Sequence, residues 1–380
     1  MMDNFSLADQ KYMSRALWLA QLGEKKVAPG PMVGTVIVKD SEIIGEGYYK
    51  SYQGIHAELQ ALKMGNKKNK GATMYINLEP CYKPQELPSC IKSIINSGIK
   101  RIVISMINPD PEISGRGVKA LKKAGIKVEL GLFKKEAVEL NETFLKYIKT
   151  DYPFVYLKKA QTLDGYIASK TGDSKWIINA KARNESNKLR NKVNAILVGI
   201  GTILADDPIL TTRLKDQPAS DPERIVLDPQ LDIPLSAKII NQNSDAQTLL
   251  ITSAKKLKNT SGELTDKIKA LQNKAKVELI ELELKNKTFF DLKEVLSLLH
   301  SRGISSLLVE GGARISCSFL QENLVDKYYY FIAPRIYGGN DGISSFCGSG
   351  PELMANAIDL KIIEYKMLDD NILLIAKNKN

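Results

Sequence analysis

One histidine, one glutamate and two cysteines in the first quarter of the chain have the residue types and spacing of a catalytic metal site. His56 and Glu58 stand two residues apart in the stretch HAE, and Cys81 and Cys90 follow an apolar stretch. A catalytic zinc takes three protein ligands and keeps a fourth position open for water. His56, Cys81 and Cys90 would supply those ligands, and Glu58 would take a proton from the bound water and return it to a leaving group. The pattern therefore predicts a zinc centre for hydrolysis.

Two other interpretations of these four residues are open. A histidine near two cysteines is usually structural, with buried thiols and no metal. A zinc ion could also be a structural clip in a binding module, although a structural zinc normally has a fourth protein ligand. Cys81 follows Pro80 at an expected strand-to-helix turn, where backbone amides lower the thiol pKa and favour the metal-binding thiolate.

A glycine turn in the second half of the chain has the features of a phosphate-binding site. The stretch LLVEGGARIS places Glu310 and the Gly311–Gly312 pair between an apolar strand and a helix. Backbone amides at the positive end of a helix favour a phosphate or pyrophosphate group. A close-packed strand-to-helix turn without a ligand explains the same sequence equally well. Two further stretches, GIGTILADDP and the Leu163–Gly165 turn, are weak signals when taken alone.

The elements that would position these residues alternate between helices and strands. A capping box of Ser6 with Asp9 predicts the start of the first helix. Residues 32–49 are typical of two strands joined by a tight turn at 39–42, and helices and strands then alternate to about residue 130. This alternation predicts helices that cover a mixed sheet.

A boundary between two domains is expected near residue 150. Pro153 interrupts the pattern there, and a new strand follows it. The second half again alternates, with strand-like stretches such as NAILVGI and TLLIT, a helix at roughly 290–301 and a C-terminal hairpin that turns at Asp369 and Asp370. We therefore predict two α/β domains, residues 1–150 and residues 151–380.

The composition of the chain fits a cytoplasmic protein with small-molecule partners. Its 380 residues are 43% hydrophobic and 26% charged, and neither a basic leader nor a long apolar run predicts a signal peptide or a membrane span. Four cysteines in a chain of this length do not predict a disulfide scaffold. The formal charge of +11 comes from scattered lysines without a nucleic-acid-binding signature. We expect a phosphate-bearing small substrate, no nucleic-acid partner and no membrane.

The first half resembles the deaminase of riboflavin biosynthesis, the N-terminal part of a bifunctional pyrimidine deaminase and reductase. HAE followed by EPC and a second cysteine is the arrangement of zinc nucleobase deaminases, and PMVGTVIVKD, IIGEGYY and GATMYINLEPC occur in the family's order. The resemblance implies a cytidine deaminase-like three-layer fold in which His56, Cys81 and Cys90 bind zinc and Glu58 carries the proton. It also implies hydrolytic removal of an exocyclic amine from a diaminopyrimidinone that carries a ribosyl phosphate.

The second half resembles the reductase part of the same family, which has a dihydrofolate reductase-like fold and uses NADPH. The matching stretches include KKAQTLDGYIA, KLRNKVNAILVGIGTILADDPILTTR, RIVLD and LLVEGG. The resemblance implies reduction of the ribosyl group to a ribityl chain and, for the whole protein, a homo-oligomer. The residues that it implies for cofactor contact are Ala160, Trp176, Thr202, Asp206, Gly312, Ala313, Arg314, Ile315, Ser316, Cys317 and Ser318. The residues that it implies for the substrate side are Ser174, Arg190, Leu210, Arg213 and Glu310.

Among these residues, Arg190 and Arg213 suit the ribosyl phosphate, because a guanidinium group binds phosphate with paired hydrogen bonds.

Two stretches in the first half depart from the deaminase pattern. The family usually has asparagine between two prolines where this chain has Gly30, and the loop between the two cysteines is YKPQELPS, residues 82–89, in place of SHxGRTPP. A missing hydrogen bond to substrate typically costs about 1 to 3 kcal/mol.

These departures leave an alternative in which the chain is a functional reductase with an impaired deaminase half. An alternative of another class is a nucleic-acid-editing deaminase with an accessory domain. The eight residues between Cys81 and Cys90 and the VEGG turn argue against this second alternative.

Overall fold

The computed structural model describes residues 5–82, 89–214, 219–258, 262–286 and 288–379. The chain forms two compact units, Met1–Asp151 and Tyr152–Asn380. No helix within these described ranges is both long enough and apolar enough to cross a membrane. Each unit has its own sheet and its own hydrophobic core.

The first unit is built on a five-stranded mixed sheet. Its strands are β1 (Gly34–Lys39), β2 (Glu42–Tyr48), β3 (Thr73–Leu78), β4 (Arg101–Met106) and β5 (Lys127–Leu130). Its helices are α1 (Leu7–Gln21), α2 (Ala57–Gly65), α3 (Cys90–Asn96), α4 (Arg116–Lys123), α5 (Lys134–Leu140) and α6 (Glu142–Lys149), with a 3-10 turn at Asn66–Asn69. The sheet order is β2-β1-β3-β4-β5, with antiparallel pairs at β1 and parallel pairs from β3 to β5. The predicted mixed sheet is therefore confirmed.

Two local sequence signals shape the start of this unit. The Ser6 hydroxyl accepts a hydrogen bond from the Asp9 amide at 3.1 Å, and the Asp9 carboxylate accepts one from the Ser6 amide at 3.0 Å. The predicted capping box at the start of α1 is thus confirmed. Asp40 and Ser41 join β1 to β2 with φ angles of 50° and 65°, a combination that suits the twist of a two-residue hairpin.

Helices cover both faces of the five-stranded sheet because its strands are apolar on both sides. In β1, Val36 and Val38 pack with α1, whereas Ile37 packs with α2, α3 and α4 on the other face. In β3, Tyr75 packs with α1, and its neighbour Met74 packs with the helices on the other face. Successive side chains of a strand point to opposite faces, so this pattern produces three layers.

The second unit is built on a nine-stranded sheet. The strands of the whole unit, of which β7 and β14 lie outside this sheet, are β6 (Phe154–Thr162), β7 (Tyr166–Ala168), β8 (Ala195–Gly199), β9 (Glu223–Leu227), β10 (Thr248–Ser253), β11 (Val277–Leu282), β12 (Ser306–Val309), β13 (Lys327–Ala333), β14 (Ile343–Ser344), β15 (Leu360–Leu368) and β16 (Asn371–Asn378). Its helices are α7 (Ala180–Lys192), α8 (Ile200–Asp206), α9 (Lys238–Asn241), α10 (Ala254–Lys258), α11 (Glu263–Gln272), α12 (Leu292–Ser301) and α13 (Ala313–Gln321), with a 3-10 turn at Met354–Asn356. The order is β11-β10-β9-β8-β12-β6-β13-β16-β15, and β7 pairs separately with β14.

This larger sheet is parallel from β11 to β13, and β16 and β15 extend it antiparallel. In the central strand β8, Leu197 packs with α12 and α13, whereas Ile196 and Val198 pack with α7, α8 and α11. The final hairpin turns between Leu368 and Asn371 as predicted. The parallel arrangement brings the carboxyl ends of β6, β8 and β12 to one edge of the sheet.

Candidate active sites

His56, Glu58 and Cys90 lie together at the starts of two helices. His56 is the N-cap residue of α2, Glu58 is in its first turn, and Cys90 is the first residue of α3. His56 Nδ1 lies 3.1 Å from Cys90 Sγ and 4.0 Å from Glu58 Oε1. Potential ligand atoms of all three residues lie within 4.8 Å of one another. The structure therefore brings three of the four predicted residues to one point.

Cys81 lies in the connection between β3 and α3 and outside this group of three. It borders the same cavity as His56 and Glu58. The helix start that favours a thiolate belongs to Cys90, whereas the sequence analysis assigned that effect to Cys81. Residues 83–88, and with them most of the divergent loop 82–89, lie outside the described residues. The three-ligand set with Cys81 therefore stays a prediction.

The donor atoms at this point suit zinc. Imidazole nitrogen and cysteine thiolate are the ligands that zinc sites use most, and a buried carboxylate beside them adds a proton acceptor. Glu58 is 3% exposed. The rings of Tyr49 and His56 meet edge to face with their centroids 5.3 Å apart, which restrains the plane of the imidazole.

A cavity of about 410 Å³ opens onto His56 and Glu58. Residues 29–31 form part of its wall, and Asn108 and Asp110 form another part. A concave site of this size with a few polar groups suits a small molecule.

Gly30 borders this cavity at a crowded position. A Cβ atom built there would lie 2.9 Å from Val27 O and 3.3 Å from Tyr49 Cε1. An asparagine, which is usual here in the family that the sequence resembles, would require this turn or the Tyr49 ring to shift. The departure at Gly30 is therefore coupled to the packing of its neighbours.

Two glycine turns lie side by side in the second unit, after the neighbouring parallel strands β8 and β12. Gly199 is the N-cap residue of α8, and Gly312 is that of α13. A Cβ atom built on Gly199 would meet nothing within 4 Å, and one on Gly312 would meet Thr202 Oγ1 at 4.0 Å. Open helix starts at the carboxyl ends of parallel strands are where α/β sheets bind phosphate-bearing cofactors. These residues therefore fit NADPH.

The predicted cofactor residues gather around these turns. Ala160 lies on β6, which pairs with β12. Thr202 and Asp206 belong to α8, and residues 312–318 begin at the N-cap of α13. Burial raises the pKa of Asp206. Most of the predicted cofactor residues therefore lie on, or directly after, the neighbouring strands β6, β8 and β12.

Two of the predicted cofactor residues have contacts within the protein. Ser316 is fully buried, and its hydroxyl donates to Gly312 O at 3.1 Å, so it supports the helix start. Trp176 is 68% exposed, and the Arg183 guanidinium lies 4.3 Å from its ring centroid. Their contact with NADPH stays a prediction.

Two of the predicted substrate residues form an ion pair with each other. Arg190 Nε and Nη2 donate to the two carboxylate oxygens of Glu310 at 2.9 and 2.7 Å. Arg190 Nη1 also donates to Thr211 O at 3.1 Å. Lys158 Nζ lies 3.7 Å from Glu310 Oε2. Because Glu310 follows β12 directly, this charged cluster lies next to the glycine turn.

The cluster holds Glu310 as a carboxylate at neutral pH. Burial raises its pKa, but the charges of Arg190 and Lys158 outweigh burial and lower the pKa to about 2. Burial in turn lowers the pKa of Lys158, although the charge of Glu310 opposes that shift.

The other three predicted substrate residues differ in exposure. Leu210 is buried and has a φ of 56°. Arg213 is exposed, and its backbone amide donates to Asn187 Oδ1 at 2.9 Å. Ser174 is half-buried in the segment between β7 and α7.

Comparison with known proteins accounts for both units. Residues 7–106 match the cytidine and deoxycytidylate deaminase zinc-binding region, and residues 153–374 match the RibD C-terminal domain. The chain is 43% identical to the riboflavin biosynthesis protein RibD of Aquifex aeolicus, over 88% of this chain and 89% of that protein. It is 37% identical to the RibD protein of Bacillus amyloliquefaciens, over 98% and 97% of the two chains.

The chain belongs to the RibD family.

A solved structure from Thermotoga maritima is similar along the whole length. It is described as a diaminohydroxyphosphoribosylaminopyrimidine deaminase/5-amino-6-(5-phosphoribosylamino)uracil reductase, and it matches with a TM-score of 0.84 and 33% identity over 98% of this chain and 99% of that chain. RibD proteins are bifunctional deaminases and reductases of riboflavin biosynthesis. The predicted fold class, the two activities and the cofactors Zn²⁺ and NADPH are thereby confirmed for this RibD chain. The nucleic-acid-editing and binding-module alternatives are set aside.

The sequence analysis of this RibD chain missed Lys158. The residue belongs to the stretch FVYLKKA, where two lysines interrupt an otherwise apolar central strand. Charged residues are rarely buried unless they are paired, so two lysines in such a strand were the available signal. Lys158 joins the Arg190–Glu310 pair that the resemblance had already indicated.

Proposed function

We propose that residues 1–150 are the zinc-dependent deaminase domain and residues 151–380 the NADPH-dependent reductase domain of this RibD chain. The first would remove the exocyclic amine of a ribosylated diaminopyrimidinone phosphate by hydrolysis, and the second would reduce its ribosyl group to ribityl. The contact of 3.1 Å between His56 Nδ1 and Cys90 Sγ, beside the buried Glu58, carries the proposal.

In the deaminase domain, His56, Cys81 and Cys90 would hold zinc, and Glu58 would carry the proton. Zinc, when bound, lowers the pKa of a water molecule and makes it a nucleophile near neutral pH. The Glu58 carboxylate then accepts a proton at one oxygen and returns it to the leaving amine. Glu58 is almost fully buried and borders the cavity, so its carboxylate is directed to a proton within the site.

In the reductase domain, the residues around the glycine turns would orient the two reactants. NADPH supplies the hydride when it is bound. The cofactor residues are the predicted set of Ala160, Trp176, Thr202, Asp206 and 312–318, and the substrate residues are Ser174, Arg190, Leu210, Arg213 and Glu310. Glu310 already occupies two donors of Arg190, so the exposed Arg213 is the residue left to bind the phosphate through both arms of its guanidinium group.

Separate assays of the two reactions test this proposal on the full chain. The ribosylated diaminopyrimidine phosphate is supplied with and without NADPH, and ammonia release and NADPH oxidation are followed independently. We expect ammonia release without NADPH and NADPH oxidation with both the original and the pre-deaminated substrate. NADPH oxidation with the pre-deaminated substrate alone would instead identify a reductase with an impaired deaminase.

Substitution of Glu58 by glutamine separates proton transfer from metal binding. Glu58→Gln should lower ammonia release by roughly 100-fold or more, since general acid–base catalysis contributes about that much. Zinc content, measured by elemental analysis, should stay at the wild-type level, and NADPH oxidation with pre-deaminated substrate should be unchanged. Equal ammonia release by both proteins would contradict the role of Glu58.

We also propose that the chain acts in the cytoplasm as a homo-oligomer. Four cysteines in 380 residues are too few for a disulfide scaffold, and a reducing compartment suits such a chain. The edge strand β15 exposes Ile362, Tyr365 and Met367, an apolar row of the kind that contacts between subunits cover. Light scattering on the purified protein would show a monomer if the oligomer proposal is wrong.

A further inference from the structure

Glu79 is a buried carboxylate of the deaminase unit to which the proposed metal and proton chemistry assigns no role. It follows β3 directly and is 2% exposed. Its Oε2 accepts hydrogen bonds from the Asn108 and Gly115 amides at 3.1 and 2.9 Å, and its Oε1 accepts one from the Val118 amide at 3.0 Å. A buried backbone amide that loses its acceptor is costly to leave unpaired. Glu79 therefore anchors three points of one segment.

The anchored segment, residues 108–118, forms part of the cavity wall. Its first anchor follows β4, and its other two lie at the start of α4. Between them, the Asp110 amide donates to Asn108 Oδ1 at 3.1 Å, and the Ile113 amide donates to Asp110 O at 2.9 Å. Asn108, Asp110 and Ile113 all line the cavity that opens onto His56. One carboxylate thus holds both ends of a wall of the candidate active site.

Gly117 shows how closely this segment approaches the residues after β3. A Cβ atom built on Gly117 would lie 2.9 Å from Pro80 O and 3.1 Å from Glu79 Oε1. The first of these neighbours is a backbone atom, so it can move only with the chain that leads to Cys81. Any side chain at residue 117 would push the segment away from Glu79.

We propose that Glu79 is a positioning residue of the deaminase, which sets the place of the substrate-facing wall 108–118 against the metal site. This proposal rests on the deaminase function proposed above. Glu79 borders the same cavity, and the three amides that donate to its carboxylate belong to the wall, so we assign its effect to the backbone that it holds. Loss of an anchor should therefore weaken the fit of the substrate more than it slows the proton transfer at Glu58.

The substitution Glu79→Gln tests this role with little change in volume. A glutamine side chain has one acceptor oxygen, and its NH₂ group would face a backbone amide that has no acceptor left. The KM for deamination should rise by roughly tenfold, the size expected when one buried hydrogen bond is lost and its donor stays unpaired, while kcat falls less than threefold. Zinc content and NADPH oxidation with pre-deaminated substrate should match the wild type.

Gly117→Ala disturbs the contact between Glu79 and the wall from the side of the wall. It tests the positioning role of Glu79 even if the Glu79→Gln variant fails to fold. We expect the same rise in KM with zinc retained. Glu112→Gln is the matched control, because Glu112 is an exposed carboxylate in the same segment and its side chain is not one of the three anchors. Its KM should stay within twofold of the wild-type value.

The proposal is overturned if an active wild type and both variants share the same KM. It is also overturned if the variants lose zinc together with all ammonia release, since Glu79 would then support the metal ligands instead of the wall. A wild type that releases no ammonia would overturn the proposed deaminase function itself and this inference with it.

Discussion

Lys159 is a buried lysine that lies beside the glycine turn of the reductase unit. Its amine donates to Gly311 O at 3.2 Å, and the side chain is 2% exposed. Burial lowers its pKa to about 7, the charge of Lys158 adds to that effect, and Cys347 and Cys317 oppose it. An unfolded lysine keeps a pKa near its model value of 10.5. Between these two values the unfolded state binds a proton that the folded state does not, so folding stability should rise with pH.

Lys159→Met should remove this pH dependence from the second unit. Each unit of pKa shift corresponds to about 1.4 kcal/mol, and Lys159 is half deprotonated at pH 7 in the folded state. The stability gained from pH 7 to pH 9 in the wild type therefore amounts to about 2 kcal/mol, or roughly 4 to 8 °C in melting temperature. Calorimetry at both pH values should show a smaller gain for Lys159→Met than for the wild type. Lys175→Met, at an exposed lysine, is the control, and an equal response of both variants would show that Lys159 does not titrate in this range.

Residues with the types and order of a known metal-site motif were the predictable part of the candidate sites. His56, Glu58 and Cys90 come from short motifs, and the start of α2 alone sets two of them next to each other. Arg190 and Glu310 are 120 residues apart, and only the family resemblance put both on the substrate side. The role proposed for Glu79 was not predicted, because it depends on three backbone amides of residues 108–118, and a sequence pattern does not show which side chain such amides bind.

At the level of elements, a buried asparagine fixes the turn that borders the deaminase cavity. Asn141 lies between α5 and α6, and its side chain bonds both backbone groups of Met32, with distances of 2.8 Å to the amide and 3.0 Å to the carbonyl. Asn77 on β3 binds the same carbonyl at 2.9 Å. Residues 29–31 directly precede the anchored Met32 and line the cavity.

Asn141→Ala should destabilise the first unit by about 2 to 4 kcal/mol, because the buried Met32 amide loses its acceptor and a small void remains. Calorimetry would detect this as a lower first-unit transition. Asn96→Ala removes an exposed asparagine from α3 and should change stability by less than about 0.5 kcal/mol. A similar decrease in the free energy of unfolding in the two variants would mean that Asn141 has no special structural role.

Elements with a strong apolar pattern were predicted, and a polar helix was not. The inner strands of both sheets, such as β3, β4, β8 and β12, are buried on both faces, so their sequence shows them as short hydrophobic runs. Helix α7 buries Ala182, Ser186 and Leu189 only, and the rest of it is charged or polar. Such a helix forms because tertiary packing and the Asn179 cap hold it, and these are not visible in a hydrophobic pattern.

At the level of the whole molecule, the chain combines two sites that use separate residues. The candidate metal site lies within Met1–Asp151, and the glycine turns with the Arg190–Glu310 pair lie within Tyr152–Asn380. The formal net charge of the chain is +11, which suits a substrate that carries a phosphate group. The two reactions should therefore respond to different perturbations.

Removal of the metal by a chelator should abolish ammonia release and leave NADPH oxidation with pre-deaminated substrate within about twofold of its starting rate. The melting temperature of the first unit should fall, since bound metal stabilises the folded state by mass action, and that of the second should not. Re-addition of zinc restores the first activity if the treatment was specific. Parallel loss of both activities would show that the metal supports the whole chain.

The three hydrogen bonds that Glu79 receives all come from backbone amides, and this has a practical meaning for protein engineering. A wall held by its main chain keeps its path when a side chain that makes no structural contact is exchanged. The Asp110 carboxylate accepts a hydrogen bond from the Glu112 amide at 2.9 Å, and Ile113 is buried. A library that retains Glu79 and Gly117 should therefore vary residue 110 among side chains with an acceptor and residue 113 among apolar residues. Such a library would be the economical starting point for a deaminase that accepts altered pyrimidines.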